Sequence, residues 1–251
     1  MVYFDGLLWL LLLLGPLFFL QRSLHREIQA VLMLLTRRSE ISLAIFSLLF
    51  FPGVLLHEFS HFLMAQVLGV RTGRFSLLPM PLPDGRMRLG YVETASADFV
   101  RDSLIGVAPL ISGGIFVAFA GLSRLGLPLV WDSLVHGGGK EVGSALSAMT
   151  ARPDFWLWFY LAFVVSSTML PSSSDRRAWL PMVVAVALLV GLALLAGAGT
   201  WMVTNLAPSL NDAMRALAVA IGISVILHVL LVIPIGLLRR GLSRLTGLEV
   251  R

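Results

Sequence analysis

The chain has 251 residues, of which 57% are hydrophobic and only 13% are charged, and its mean hydropathy is +0.89. A soluble domain carries roughly one quarter charged residues, so this composition excludes an ordinary soluble protein and predicts an integral membrane protein. The net charge of +5 comes from arginines scattered among short loops. With no basic stripe interleaved with aromatics, we assign no nucleic-acid role and expect contact with an anionic lipid bilayer.

The apolar segments predict an all-α integral membrane protein with about six transmembrane helices, since a spanning helix needs about 20 apolar residues. The first segment has no basic region before it and no small-residue cleavage site, so we expect a retained span and not a signal peptide. The predicted spans are 7–20, 41–70, 104–122, 155–170, 179–203 and 217–238.

We interpret residues 1–251 as a single polytopic membrane domain. Residues 1–40 would hold the first span and an amphipathic interfacial helix, whose apolar positions over 21–38 recur at helical spacing. Residues 41–180 would form the catalytic core. Residues 181–251 would add two further spans.

Two connecting segments have distinct patterns. Between residues 72 and 94 the apolar period changes from helical to extended around an Asp84-Gly85 turn, which predicts a small membrane-associated β-hairpin after the second span. Residues 123–154 are expected to form a loop too short for an added domain.

The second predicted span contains an H-E-x-x-H motif, residues 57–61. Positions i and i+4 share one face of a helix, so the imidazoles of His57 and His61 converge on one point, and Glu58 is placed to hold a water beside it. This pattern is typical of zinc hydrolases. Because the chain has no cysteine, thiolate ligands are excluded and the metal must use histidine and carboxylate.

A catalytic zinc ion needs a third protein ligand beside an open position for water. Asp175 ends the fourth apolar segment, where Pro171 would break the helix and let a short carboxylate turn inward. Among six spans the second and fourth run in the same direction, which places Asp175 on the same side as the motif. Alternatively, Asp175 pairs with Arg176 and Arg177 at the membrane surface.

The depth of the motif raises a question about this pairing. His61 precedes Arg71 by ten residues, which is roughly 15 Å along a helix, whereas Asp175 adjoins two arginines. Either the second span protrudes from the membrane, or residues 171–175 dip back into it.

The remaining histidines and the basic residues complete these expectations. We expect His228, inside the sixth span, to make a helix-packing hydrogen bond, and His25 and His136 to lie at the surface. An N-terminus in the cytosol would place the hairpin, the Asp175 turn and the C-terminus inside, with eleven lysines and arginines against eight outside.

From the motif onward the chain resembles the site-2 protease family of intramembrane zinc metalloproteases. In that family the motif helix continues into Leu-Gly-Val, as in residues 68–70, and then into a hairpin strand with Phe-Ser-Leu, as in residues 75–77. Residues 108–112 are similar to the family's Gly-Pro-x-x-Asn segment, with Ser112 in place of the asparagine. The family's Asn-x-x-Pro and Asp-Gly elements are matched with Thr168 and Arg176 in place of the asparagine and the glycine.

This resemblance covers about residues 40–180 and implies a cell-membrane, multi-pass zinc metalloendopeptidase that cleaves membrane-protein substrates in or near their transmembrane segments. Zn²⁺ would be held by His57, His61 and Asp175, with Glu58 as general base. An edge of the hairpin could hold an extended substrate by strand addition. The expected substrate-binding residues are Ser112, Thr168, Phe75 and Leu77.

Two alternatives remain open at this point. A non-proteolytic membrane zinc protein, such as a regulator, chaperone or transporter, could use the same scaffold. Another type of H-E-x-x-H membrane protease would need a downstream glutamate ligand, and no glutamate lies in any later span. The sequence leaves the oligomeric state open.

Overall fold

A computed structural model describes residues 5–77, 80–81 and 87–248 of the chain. Over these residues the protein is mostly helical, and π-helical turns at Ala120–Arg124 and Met202–Leu206 extend two of the helices. The helices are α1 (Asp5–Thr36), α2 (Ser39–Val67), α3 (Phe99–Phe119), α4 (Leu127–His136), α5 (Gly139–Thr150), α6 (Phe155–Ser166), α7 (Trp179–Leu195), α8 (Gly199–Trp201) and α9 (Ala207–Thr246).

Within the described ranges, four helical stretches are long and apolar enough to cross a membrane. They correspond to the first, second, third and sixth predicted spans. Helices α6 and α7 are apolar but have only 12 and 17 residues, fewer than the roughly 20 needed. A helical membrane protein is thereby supported, whereas six full-length spans are not. The four stretches are Asp5–Thr36, Ser39–Val67, Phe99–Arg124 and Gly199–Thr246.

Two predicted boundaries are wrong. No separate interfacial helix begins at residue 21, because α1 continues unbroken to Thr36 and buries Leu24 and Ile28 against aromatic residues of α2. Residues 123–154 are not a loop but contain α4 and α5. Gly126, at φ 75°, turns the chain from α3 into α4 with a left-handed conformation that glycine adopts at little cost.

The predicted hairpin is confirmed in its strands. Strand β1 (Thr72–Ser76) pairs antiparallel with β4 (Tyr91–Thr94), and β2 (Met80–Pro81) pairs with β3 (Met87–Arg88). Gly69, at φ 67°, ends the preceding helix in the left-handed conformation expected of a C-terminal glycine. The predicted turn at Asp84-Gly85 lies outside the described residues.

Helices α1 and α9 pack side by side and run in the same direction. Asp5 pairs with Arg215 at 2.6 Å near one end of α1, and Glu27 pairs with Arg239 at 2.5 Å near the other. The two acidic residues are separated along α1 by about 33 Å at 1.5 Å per residue. These ion pairs therefore bracket a length close to the roughly 30 Å hydrocarbon thickness of a bilayer.

This direction contradicts a six-crossing topology, in which the first and last spans would be antiparallel. The Ser103 hydroxyl in the first turns of α3 donates to the carbonyl of Ala178 at 3.1 Å, so α7 starts on the side where α3 starts. Asn211 near the start of α9 donates to Asp5 at 2.7 Å. This bond places the start of α9 at the end of the bundle where α1 starts. The starts of α7 and α9 therefore lie at the same end of the bundle.

The prediction that the C-terminus shares a face with the hairpin and the Asp175 turn is consequently wrong. Because α9 runs parallel to α1, its C-terminal end lies at the opposite end of the bundle. The basic residues Arg239, Arg240 and Arg244 therefore also lie at that opposite end. Counting them there reverses the predicted excess of eleven lysines and arginines inside over eight outside, on which the orientation depended.

Cysteine labelling in sealed vesicles can test this topology, because the native chain has no thiol. We expect Ser96→Cys, which follows the hairpin, and Ser173→Cys to react with an impermeant maleimide from the same side. Gly241→Cys, near the end of α9, should react only from the other side. Labelling of all three from one side would contradict the parallel arrangement of α1 and α9.

Candidate metal centre

Helix α2 brings the two motif histidines together. Its i and i+4 positions place Nε2 of His57 and Nε2 of His61 3.2 Å apart, with ring centroids 4.9 Å apart. Glu58 and His61 are buried. The motif therefore presents two converging imidazole nitrogens inside the helical bundle, as its spacing predicted.

Asp175 reaches this point because α6 ends early. The helix stops at Ser166, four residues before the predicted end, and the hydroxyls of Ser166 and Thr168 donate to carbonyls of its last turns. These bonds satisfy carbonyl groups that a helix end otherwise leaves unpaired. Residues 167–178 then pack against α2 and α3 and bring Asp175 to the motif.

Glycines allow this segment to approach α2 and α3 closely. A β-carbon at Gly106 of α3 would overlap the carbonyl oxygen of Asp175, and one at Gly113 would overlap the side chain of Met169. On α2, Gly53 makes the same kind of contact with α6. Small residues at such positions let backbones meet, so Gly106 is required for the position of Asp175.

The Asp175 carboxylate faces both histidines. Its Oδ1 lies 3.5 Å from Nε2 of His61, and its Oδ2 lies 3.7 Å from Nε2 of His57. The backbone N–H of Ser172 donates to Oδ2 at 2.7 Å and fixes the side chain. Burial raises the pKa of Asp175, but the neighbouring imidazoles and Ser172 outweigh burial and hold that pKa below its ordinary value. Asp175 is therefore a carboxylate, the form that binds metals.

The two arginines next to Asp175 have other partners. Arg177 pairs with Asp102 of α3 at 3.4 Å, and Nε of Arg176 donates to the carbonyl of Ser172 at 3.2 Å. Both arginines are exposed, whereas the Asp175 side chain is only 14% exposed. This arrangement argues against the alternative in which Asp175 serves as a surface partner of these arginines.

One hydrogen bond sets the tautomer of His61. Its Nδ1 lies 2.8 Å from the carbonyl oxygen of Ile105, and a carbonyl can only accept, so we assign the proton of a neutral His61 to Nδ1. Nε2 then directs its lone pair at His57 and Asp175. The Nδ1 atom of His57 is buried and has no hydrogen-bond partner among the described residues. His61 thus has the orienting bond that is typical of a metal ligand.

His57, His61 and Asp175 together could hold a metal ion. One nitrogen or oxygen atom from each side chain lies within 4.8 Å of the other two. When neutral, both imidazoles can present Nε2 lone pairs, and with the Asp175 carboxylate they are ligand types that a divalent cation such as zinc takes. The predicted ligand set is therefore assembled with the chemistry that a divalent cation needs.

A cavity of about 820 Å³ connects this cluster to Glu58 and to the hairpin. Its wall is formed by α1, α2, α3, β4 and residues 167–177. A β-carbon at Gly90, just before β4, would lie 2.9 Å from Cγ of Glu58, so the hairpin packs directly on the motif helix. This cavity gives Glu58 and the three ligands one shared space.

The four predicted substrate-binding residues do not all lie at the cavity. Thr168 lines it, but the described cavity wall does not include Ser112, Phe75 or Leu77. The Ser112 hydroxyl bonds that of Ser60 at 2.5 Å and thereby joins α3 to α2. Phe75 is exposed on β1, and Leu77 packs against a buried apolar cluster beneath the hairpin.

Strand β4, not β1, borders the cavity. Gly90, Val92, Glu93 and Thr94 all contribute to its wall. Sequence reasoning predicted both strands but chose residues on the first. The packing of Gly90 on Glu58 brings β4 to the cavity, and this tertiary contact is not visible in the alternation of residues along the strands.

Two expectations about other histidines are confirmed. His228 is buried and makes packing hydrogen bonds, with its Nδ1 donating to the carbonyl of Ser224 at 2.7 Å and its Nε2 lying 2.9 Å from Oγ of Ser167. His136 is exposed and lies 3.0 Å from Asp132.

The expectation that His25 is a surface residue is wrong. Its ring packs edge-on against Phe46 and Phe50 of α2, at centroid distances of 5.6 and 4.7 Å, and it lines the cavity. The cause is the packing of α1 on α2, where an interfacial helix had been predicted. His25 is thus a cavity residue that the sequence pattern missed.

Comparison with known proteins found no matching family model, no matching curated protein and no matching solved structure. The chemistry of the site must therefore be judged from its own donor atoms. At the metal centre these are the imidazoles of His57 and His61 and the carboxylate of Asp175, with Glu58 in the same cavity.

Proposed function

We propose that the protein is an intramembrane zinc metalloprotease that hydrolyses peptide bonds in or near transmembrane segments of membrane-protein substrates. The observation that carries this proposal is the convergence of His57, His61 and Asp175 beside Glu58 in one cavity of an apolar helical bundle. The resemblance of residues 40–180 to the site-2 protease family supports the same reaction class.

The spacing of the ligand atoms fits zinc. Tetrahedral zinc binds nitrogen and oxygen ligands at about 2.0–2.1 Å, which separates two ligand atoms by roughly 3.3 Å. The corresponding separations here are 3.2 Å between the two Nε2 atoms, and 3.5 and 3.7 Å from these atoms to the Asp175 oxygens. Three protein ligands leave a fourth position for water, which is typical of a catalytic site.

Each residue of the site has a role that follows from its position. Zinc, when bound, supplies Lewis-acid polarisation of a carbonyl and lowers the pKa of water. His57, His61 and Asp175 would hold it, and the bond from His61 to Ile105 keeps one imidazole oriented. Glu58, which follows His57 on the helix and lines the same cavity, would accept a proton from the attacking water and deliver it to the leaving amine.

The hairpin offers a way to present the substrate. A helical substrate pairs its own backbone amides, so cleavage requires a locally extended segment. Strand β4 borders the cavity beside Glu58, and an extended peptide can add to a sheet edge through main-chain hydrogen bonds. We therefore assign the presentation of the scissile bond to β4.

Metal removal tests the proposal. We expect a chelator to abolish hydrolysis of a membrane-inserted peptide by the reconstituted protein, and added zinc to restore it. His57→Ala or His61→Ala should lose the metal itself, because two protein ligands rarely retain zinc against chelators. His136→Ala, which removes an exposed histidine, should keep it. Equal zinc content in all three variants would show that the motif is structural.

A second candidate function is a membrane zinc protein without proteolysis, such as a regulator, chaperone or transporter. The observation that favours it is the use of the Ser112 hydroxyl between helices, which takes one expected substrate-binding group away from the cavity. Stoichiometric zinc together with no hydrolysis of any membrane-inserted peptide would support this alternative.

A further inference from the structure

The positive charge of the chain is concentrated in two segments, one on each side of the α1–α9 pair. Nineteen basic and fourteen acidic side chains give the whole chain its net charge of +5. Residues 22–40 and 239–244 hold seven arginines but only two acidic residues, Glu27 and Glu40, so twelve basic and twelve acidic side chains remain elsewhere. These two segments therefore account for the entire excess. We call their arginines the arginine cluster: Arg22, Arg26, Arg37, Arg38, Arg239, Arg240 and Arg244.

The arginine cluster lies at one end of the bundle. The ion pair of Glu27 with Arg239 joins the two segments, and because α1 and α9 run parallel, both helices continue from this pair toward the same end. Helix α1 ends at Thr36, nine residues beyond Glu27, and α9 ends at Thr246, seven residues beyond Arg239. At 1.5 Å per residue these helix ends lie about 14 and 11 Å beyond the pair. Arg22, the member farthest from this end, lies only five residues before Glu27.

Most arginines of the cluster have no acidic partner. Arg239 pairs with Glu27, whereas none of the other six forms an ion pair within the described ranges. All six are exposed. The hairpin end of the bundle differs, because Arg101, Arg177 and Arg215 each pair with an aspartate there. The guanidinium groups of the cluster can therefore donate charge-assisted hydrogen bonds to an external anion.

The turn between α1 and α2 holds one of these arginines in an unusual backbone conformation. Among the described residues other than glycine, Arg37 alone has a positive φ, at 52°. It directly follows α1, at the position where a helix commonly ends in a left-handed glycine. An arginine costs more than a glycine in this conformation. The presence of arginine here therefore favours a use for its charge.

Exposed apolar side chains accompany the arginines. Leu35 is 60% exposed near the end of α1, and Leu245 is 86% exposed near the end of α9. At the boundary between lipid headgroups and acyl chains, leucine can enter the apolar layer while the long arginine side chain reaches the headgroups. This end of the bundle therefore fits a lipid surface, which supplies both an anion and an apolar layer.

We propose that the arginine cluster is a binding surface for anionic phospholipids, with the headgroup phosphate as the group that the arginines recognise. This inference goes beyond the proposed hydrolysis and does not depend on it. Each arginine close to an anionic leaflet strengthens binding about fivefold. Binding at this surface would hold the ends of α1 and α9 at one leaflet, while the hairpin lies at the opposite end of the bundle.

Fluorescence quenching by labelled lipids tests this surface with the full chain in vesicles. A fluorophore is attached to Gly241→Cys, within the cluster, or to Ser96→Cys, after the hairpin. The native chain has no thiol, and position 241 is exposed and has room for a β-carbon. Vesicles of phosphatidylcholine contain a minor fraction of either phosphatidylglycerol or phosphatidylcholine that carries a doxyl quencher close to the headgroup. We expect the anionic lipid to be favoured at least about fivefold at position 241 but not at position 96.

Charge-removing variants show whether the cluster causes this preference. Combining Arg37→Gln, Arg38→Gln, Arg240→Gln and Arg244→Gln should reduce the preference at position 241 to the value at position 96. Lysine at the same four positions should retain most of the preference, because the charge is kept. The matched control replaces four exposed arginines of the hairpin end by glutamine and should leave the preference intact: Arg71, Arg74, Arg101 and Arg176.

Ionic strength provides a test that needs no charge substitution. The preference at position 241 should fall as salt is raised from about 0.1 M to about 1 M, because the screening length shortens from about 10 Å to about 3 Å. Equal quenching by the two lipids at position 241 overturns the proposal and leaves an acidic soluble partner as the occupant. A similar preference at positions 241 and 96, a preference insensitive to salt, or one that survives the glutamine variant also overturns it.

Discussion

Glu58→Gln is expected to lower the rate of peptide-bond hydrolysis by about two to four orders of magnitude while leaving bound zinc nearly unchanged. The amide cannot accept the proton of the attacking water, but it has almost the same size and can fill the same place beneath Gly90. The rate is measured on a membrane-inserted peptide with protein reconstituted in vesicles, and the zinc content on the same preparation.

A glutamate elsewhere on the same helix provides the matched control. Glu40 lies exposed in the first turn of α2, so Glu40→Gln makes the same chemical change far from the motif and should leave the rate unchanged. A substantial fraction of wild-type activity in Glu58→Gln would rule out the protease mechanism. Loss of zinc together with activity would instead assign Glu58 a structural role at the metal centre.

The local part of the site could be predicted from the sequence. The convergence of His57 and His61 depends only on helical periodicity, and α2 is helical throughout the motif. The strands of the hairpin followed from a change of period around the Asp84-Gly85 turn. In each case the pattern that predicts the structure lies within one short stretch of the chain.

The approach of Asp175 to the two motif histidines depends on tertiary contacts that a periodic pattern in the sequence does not reveal. Its position requires α6 to end at Ser166, and it requires Gly106 on another helix to leave room for the Asp175 carbonyl. The sequence suggested Asp175 because Pro171 would end a helix, but the helix ends earlier. The correct residue was thus chosen for a reason that describes only part of the geometry.

The direction of the last helix was predicted wrongly because a hydropathy pattern gives the length of an apolar segment and not the direction in which its helix runs. Residues 179–203 are apolar enough to be counted as a crossing, yet α7 ends at Leu195 and the chain turns at Gly197. The ion pairs of Asp5 and Glu27 with α9 set the direction of the last helix. They join residues more than 200 positions apart, which a single sequence does not reveal.

The second large effect is expected at Asp175. Asp175→Ala should lower zinc affinity by well over tenfold and remove hydrolysis, because loss of a ligand is more severe than the roughly 10- to 100-fold typical of losing a supporting residue. Asp175→Glu should recover part of both, since it keeps a carboxylate on a longer chain. Zinc affinity is measured by competition with a chelator of known affinity.

Neighbouring substitutions show whether Asp175 acts as a ligand. Arg176→Ala should change zinc affinity little, because Arg176 contacts the carbonyl of Ser172 and lies exposed. Ser172→Ala should cost less than Asp175→Ala, since its backbone N–H still donates to the Asp175 carboxylate. If Asp175 were only a partner of exposed arginines, its removal would cost no more than about 1 kcal/mol of stability and leave zinc in place. Unchanged zinc affinity in Asp175→Ala would therefore leave the two histidines without a third protein ligand and favour the non-proteolytic alternative.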